Sequence, residues 1–205
     1  MKALANPSIA IHPAAKRVAV MSNPCVLSII MLVFMAFSES RNLGEAALET
    51  GALIGLFIVL PLILIYWWTM PLPDRRSYRA DPTLYLKQHP REILLLGLVF
   101  GPTSWAVLRW LAAPAPLLQT LVALLAVAFV AALINLGYRL SFHLAAVTVL
   151  VYMAVHTWGA PLLILLTAIP LIAWAKYDLH EHTFMQMALG VMLALFLTPL
   201  AVHLL

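Results

Sequence analysis

Ionisable side chains stand out in this chain because almost everything around them is apolar. Of 205 residues, 64% are hydrophobic and 10% are charged, and the mean hydropathy is +0.99. A charged or titratable group beside an apolar helix is costly to keep, so such groups are the first candidates for a functional site. They concentrate in three places, residues 73–79, 139–143 and 176–186.

The first place contains three arginines within five residues, Arg75, Arg76 and Arg79. A planar guanidinium group matches phosphate oxygens with two parallel hydrogen bonds, so three of them could clamp a phosphate. A loop that contacts anionic lipid head groups, or that satisfies the positive-inside rule, would carry the same residues. Both interpretations stay open from this segment alone.

The second place lies before an apolar segment and contains Arg139, Ser141 and His143. Arg139 and His143 are four residues apart, about one helical turn. Ser141 is a candidate helix N-cap, which would leave free backbone amides and a positive dipole end facing the loop. A helix N-terminus with an arginine and a histidine is suited to an anion. The alternative is a histidine that simply places its polar tip at a membrane surface.

The third place separates two apolar segments and contains Lys176, His182 and Gln186. The run His180-Glu181-His182 resembles a metal-binding sequence, but it lacks the one-turn spacing that puts two histidines on one helix face. We therefore expect neither a metal nor another cofactor. His182 and Gln186 are four residues apart, so Gln186 can orient the His182 ring by a hydrogen bond.

Two histidines among several cations are suited to phosphoryl transfer. A neutral imidazole can attack phosphorus, and a second imidazole can protonate the leaving oxygen. Cations can stabilise the charge on the remaining phosphate oxygens. This chemistry requires His143 and His182 to lie at the same end of neighbouring helices.

Apolar segments would position these residues. A helix needs roughly 20 residues to cross a bilayer, and most of these segments are about that long. The pattern predicts an all-α polytopic membrane bundle, with six core transmembrane helices after an N-terminal segment, residues 1–50. The first apolar segment is short and either is a signal anchor or lies at the interface. The transmembrane domain is expected over 51–205. The predicted segments are 23–38, 51–70, 93–112, 117–136, 143–158, 160–175 and 184–204.

These segments divide the loops between two sides of the membrane. The 39–50 loop, the turn at Arg109, the 158–160 turn and the C-terminus share one side with two cations, Arg41 and Arg109. The opposite side carries all three polar places and ten cations. Because of this ten-to-two difference, the positive-inside rule predicts that this side is cytoplasmic, in a prokaryotic inner membrane. Its ten cations are Lys2, Lys16, Arg17, Arg75, Arg76, Arg79, Lys87, Arg91, Arg139 and Lys176.

The composition excludes several classes of protein. Soluble domains carry about 45–50% apolar and 25% charged residues, so an ordinary globular enzyme does not fit. The single cysteine, Cys25, excludes a disulfide framework. Basic residues are not interleaved with aromatic ones on a polar face, so no nucleic-acid partner is expected. The oligomeric state is left open.

The last two polar places resemble motifs of the type 2 phosphatidic acid phosphatase superfamily. Its third motif, Ser-Arg-x5-His-x3-Asp, is similar to Ala175-Lys176-x5-His182-x3-Gln186, and the run from His182 to Gly190 is similar to the His-Thr-x-x-Gln-Val-x-x-Gly form of a divergent prokaryotic branch. The segment 139–143 is similar to that branch's Lys-Ile-Ser-x-His form. The first motif, Lys-x6-Arg-Pro, is absent, and residues 74–79 are a loose replacement. The resemblance covers about 70–205.

The resemblance implies a metal-independent hydrolase of lipid metabolism that acts on phosphatidate or a polyprenyl phosphate or diphosphate. It implies that His182 forms a phosphohistidine, that His143 is the general acid, and that Gln186 replaces the usual carboxylate, unless Asp178 or Glu181 supplies one. It implies phosphate-binding roles for Lys176, Arg139, Ser141, Arg75, Arg76 and Arg79. The alternatives are a membrane enzyme or binder of prenyl diphosphates that does not simply hydrolyse them, and an inactive phosphatase-like subunit.

Overall fold

A computed structural model describes residues 12–69 and 90–204 of the chain, and this part is helical with no strand. A π-helical segment, Gly55–Val59, and a 3₁₀ segment, Ala160–Thr167, interrupt the α-helices. The helices are α1 Pro13–Met21, α2 Pro24–Glu39, α3 Leu43–Ile54, α4 Leu60–Thr69, α5 Pro90–Trp110, α6 Ala115–Asn135, α7 Phe142–Trp158, α8 Ala168–Asp178 and α9 Phe184–His203.

Three helical stretches of the described chain are long and apolar enough to cross a membrane: α6, the 3₁₀ segment together with α8, and α9. A fourth is reached if α1 and α2, which bend by 43° at their junction, count as one span. The all-α membrane class is therefore supported, whereas six core spans are not confirmed. The 17 residues of α7 rise only about 25 Å, which is less than a ~30 Å hydrocarbon core.

Helices α6, α7 and α9 pack against one another and form most of the apolar core. Helix α2 joins this core through Leu32 and Met35, and the Thr120 hydroxyl of α6 donates a hydrogen bond to the Met35 sulfur at 3.0 Å. A smaller cluster joins α7, α8 and α9, and Val18 of α1 packs on it. Helix α1 thus lies along α8.

Two sets of contacts identify the two ends of this bundle. At one end, which we call the site end, α7 and α9 begin and α8 finishes; there the Ser141 amide donates to the Gln186 carbonyl at 3.2 Å. At the far end, the Trp158 indole N–H donates to Glu39 at 3.3 Å, and the Gln119 side chain donates to the Val202 carbonyl at 3.4 Å. These contacts agree with the alternation of loops expected from the apolar segments.

Two local expectations are wrong. Residues 39–50 are not a loop, because α3 begins at Leu43 after Asn42, whose side-chain oxygen accepts from the Glu45 amide at 3.0 Å. Such an N-cap satisfies one of the free amides of a first turn. The start of the predicted 160–175 helix is 3₁₀ rather than α, and Gly159 before it has a φ of +88°.

Candidate functional site

His182 lies at the site end, in the short link between α8 and α9. Its ring is partly buried, and Nδ1 lies 3.3 Å from Oε1 of Gln186. The contact expected from the four-residue spacing is therefore present. It ties the imidazole to the first turn of α9.

A capping box at the start of α9 decides which way the Gln186 amide points. Thr183 is the N-cap. Its backbone N–H donates to the side-chain Oε1 of Gln186 at 3.0 Å, and its hydroxyl accepts from the backbone N–H of Gln186 at 3.4 Å. The atom that receives a backbone N–H must be the amide oxygen, which cannot donate. His182 Nδ1 must then carry the proton, and the ring's lone pair lies on Nε2.

The surroundings of His182 favour its neutral form. Burial lowers the pKa of the imidazole below its usual 6.5, and the nearby positive charges of Lys176 and Arg139 lower it as well. The hydrogen bond that the ring donates to Gln186 and the charge of Glu181 act in the opposite direction but do not prevail. At neutral pH this ring is a base with an available electron pair.

Lys176 occupies the last turn of α8, and its side chain is only 4% exposed. Its ammonium group forms an ion pair with Glu181 Oε2 at 2.7 Å. The Glu181 amide also donates to the Lys176 carbonyl at 3.1 Å, and His180 between them adopts a left-handed φ of 54°. A cation near a helix C-terminus is favoured by the dipole, and the turn brings its counter-ion within reach.

The start of α7 reaches the site through Ser141. Ser141 stands at the N-cap position, as expected, but its side chain makes no capping bond. Its side chain is fully buried, and the hydroxyl has no hydrogen-bond partner among the described residues. Its backbone amide donates to Gln186, which brings the first turn of α7, with His143, against the first turn of α9.

Gly190 allows this close approach. A Cβ atom built on it would lie 2.7 Å from the Ser141 carbonyl oxygen, closer than real Cβ contacts occur. Any other residue there would push the two helix starts apart. Gly190 is thus part of the support for both histidine-bearing segments.

The structure brings together Arg139, Ser141, Lys176, His182 and Gln186. Arg75, Arg76 and Arg79 lie outside the described residues, so their expected role stays a prediction. Within 12–69 and 90–204, no three or more His, Cys, Asp or Glu side chains are grouped as a metal ion would require.

Sequence reasoning missed the partner of Lys176. The sequence suggests Glu181 only as a substitute carboxylate for His182, whereas the structure pairs it with the buried lysine. Asp178, the other carboxylate considered, accepts the His12 backbone N–H at 3.1 Å. The five-residue separation of Lys176 and Glu181 was a weak signal, because it becomes a contact only when the chain turns sharply after α8.

Comparison of the chain with protein-family models, with curated proteins and with solved structures finds no match. The interpretation of this site therefore depends on its own geometry.

Proposed function

We propose that the protein is an integral-membrane phosphatase that hydrolyses a lipid phosphate, a phosphomonoester or diphosphate of the phosphatidate or polyprenyl type. The reaction passes through a phosphohistidine on His182 and uses no metal. The proposal includes six core membrane-crossing helices and a site end that faces the cytoplasm in a prokaryotic inner membrane.

The observation that carries this proposal is the state of the His182 ring. Gln186 accepts the Nδ1 proton, and burial and neighbouring cations lower the pKa, so Nε2 carries its lone pair at neutral pH. A nucleophilic histidine needs this combination of tautomer and protonation state. A histidine that only placed a polar tip at a membrane surface would need neither.

The proposed steps give one role to each of four side chains. Nε2 of His182 attacks phosphorus as the bond from phosphorus to the lipid oxygen breaks, and a protonated His143 gives that oxygen its proton. Lys176 and Arg139 stabilise the charge on the other phosphate oxygens. Water, giving a proton to His143, then attacks the phosphohistidine; the phosphorus–nitrogen bond breaks and inorganic phosphate leaves.

The proposal has a place for the lipid tail. In this proposal the end of the apolar bundle that carries the site residues lies at the height where lipid head groups meet water. A lipid substrate can keep its hydrocarbon in the bilayer while its phosphate reaches His182. Large apolar side chains near this end are exposed, among them Phe184 and Met185 at the start of α9.

Two observations favour a second function, which is phosphate or diphosphate binding without turnover. Gln186 stabilises an imidazolium less than a carboxylate does, and Lys176 is already paired with Glu181. Both features suit a prenyl diphosphate binder or an inactive phosphatase-like subunit.

The test is phosphate release by the purified protein from phosphatidate, phosphatidylglycerophosphate and polyprenyl phosphates, with divalent metals chelated. We expect release by the native chain and at least a 100-fold loss in His182→Ala, since the nucleophile is gone. His180→Ala is the matched control, because this exposed histidine lies two residues away, and it should keep most of the activity.

Release that His182→Ala retains would contradict the assignment of the nucleophile. If no substrate releases phosphate while both proteins elute as folded species, the binding function is favoured instead.

A further inference from the structure

The Lys176 ammonium is a fixed positive charge inside the protein. Its side chain is 4% exposed, and its hydrogen bond to Glu181 Oε2 is 2.7 Å long. A buried ammonium is stable only while an acceptor of opposite charge stays on it. Whatever enters this site must therefore share Lys176 with Glu181 or replace it.

Glu181 can leave more easily than Lys176 can. Its side chain is 45% exposed, and its backbone is held separately by the bond from its amide to the Lys176 carbonyl at 3.1 Å. The carboxylate can reach water by rotation of its own side chain, without movement of the link between α8 and α9. The ammonium is buried and the carboxylate is partly exposed, so the carboxylate is the partner that an incoming ligand can reach.

We propose that Glu181 occupies the phosphate position on Lys176 while the site is empty, and that a phosphate group binds by displacing it. The inference rests on the proposed function in one respect, that Lys176 is a phosphate ligand. Phosphate and carboxylate oxygens accept the same charged N–H donors, so the exchange keeps the buried ammonium paired throughout.

A tethered competitor lowers the affinity of every ligand that uses Lys176. The apparent dissociation constant rises by the factor by which Glu181 reduces the population of the open site. Weak binding of inorganic phosphate has a use, because the product must leave before the next lipid arrives. Glu181 thus sets the affinity of the site rather than taking part in bond breaking.

The test measures binding of inorganic phosphate to the full chain in a phosphate-free detergent, by titration calorimetry. In Glu181→Gln an amide oxygen still accepts from Lys176, so the ammonium stays bonded, but the competing charge is gone. A charged hydrogen bond contributes more than a neutral one, so we expect phosphate to bind about tenfold more tightly.

Asp178→Asn is the matched control, because it removes the same charge three residues away from a side chain that accepts from His12 rather than Lys176. Its phosphate affinity should stay within about twofold of the native value. Glu181→Asp is the second variant: it keeps the charge but shortens the reach to Lys176. It should tighten phosphate binding to a smaller degree than Glu181→Gln.

Equal tightening in Asp178→Asn would overturn the inference, since a general field would then explain the effect. Unchanged, weaker or undetectable phosphate binding in both Glu181 variants would overturn it as well. These outcomes are independent of the hydrolysis assay, in which the proposed function fails if the native chain releases no phosphate.

Discussion

At the scale of single residues, several neighbours determine the tautomer and the protonation state of the His182 ring. Gln186 determines which nitrogen carries the proton, and burial, with smaller contributions from Lys176 and Arg139, makes a second proton unfavourable. These influences are of different kinds, because the first is directional and the second acts through space. They can therefore be separated by substitution.

The lowered pKa of His182 predicts a pH dependence. The attacking form is neutral, so kcat/KM should hold as pH falls to the ordinary histidine pKa of 6.5 and decline only below it. In Gln186→Glu a carboxylate takes the amide's place and stabilises the imidazolium. We expect the pKa of His182 to rise and the acid limb of the pH–rate profile to move to higher pH.

Gln186→Met is the comparison for this prediction, because it has similar size and no acceptor for Nδ1. It should lose activity by about tenfold or more at every pH, since the tautomer is no longer selected. An acid limb that stays in place in Gln186→Glu would show that another group controls it.

The free energy of unfolding should depend on pH in the same direction as the activity. The unfolded chain binds the His182 proton more readily than the folded chain does, so stability should fall as the pH drops through and below 6.5.

At the scale of elements, the close contact between the starts of α7 and α9 holds the site together. The bond from the Ser141 amide to the Gln186 carbonyl is 3.2 Å long, and Gly190 leaves room for it. Helix starts carry partial positive charge, so two of them side by side favour an anion in front of them. The geometry of both histidine-bearing segments depends on this contact.

We expect Gly190→Ala to destabilise the protein by about 2 kcal/mol, because the new methyl group meets a backbone carbonyl that cannot rotate away. Phosphate release should fall too, as His143 moves relative to His182. Thermal unfolding in detergent measures the first effect, and the hydrolysis assay measures the second.

Gly97→Ala in α5 controls for the change of residue type, because nothing lies within 4 Å of its built Cβ. Alanine forms helices better than glycine, so this variant should be as stable as the native protein or more so. Equal stability of both variants would argue against a tight contact at Gly190.

At the scale of the whole molecule, the candidate site residues lie together at one end of the helix bundle. His182, Lys176 and Arg139 lie at the site end, whereas α9 finishes at the far end beside the start of α6. The bias of cations between the two sets of loops predicts a cytoplasmic site end.

Orientation can be measured with single cysteines in a Cys25→Ala background. His180 and Leu204 are both exposed and belong to opposite ends. A membrane-impermeant maleimide should label Leu204→Cys in intact cells, and His180→Cys only after permeabilisation. The reverse pattern would invert the predicted orientation.

The amino-acid sequence alone determined the helical class and the approximate extent of the elements around the site. Apolar runs of this length must satisfy their backbone hydrogen bonds internally in a bilayer, so helices such as 142–158 and 184–203 were within reach of prediction. The pairing of His182 with Gln186 was also within reach of prediction, because both belong to one short stretch of chain, although His182 precedes α9 and the capping box orients the Gln186 oxygen.

Only the tertiary structure decided how the candidate site is arranged. The burial of Lys176, its pairing with Glu181 and the contact of Ser141 with the α9 start depend on how separate helices pack and turn. The breaks at residues 43 and 160 depend on local capping and backbone geometry that an apolar pattern does not contain. Periodicity in a sequence reports which side chains are apolar, whereas the charge state of a buried group depends on its neighbours in space.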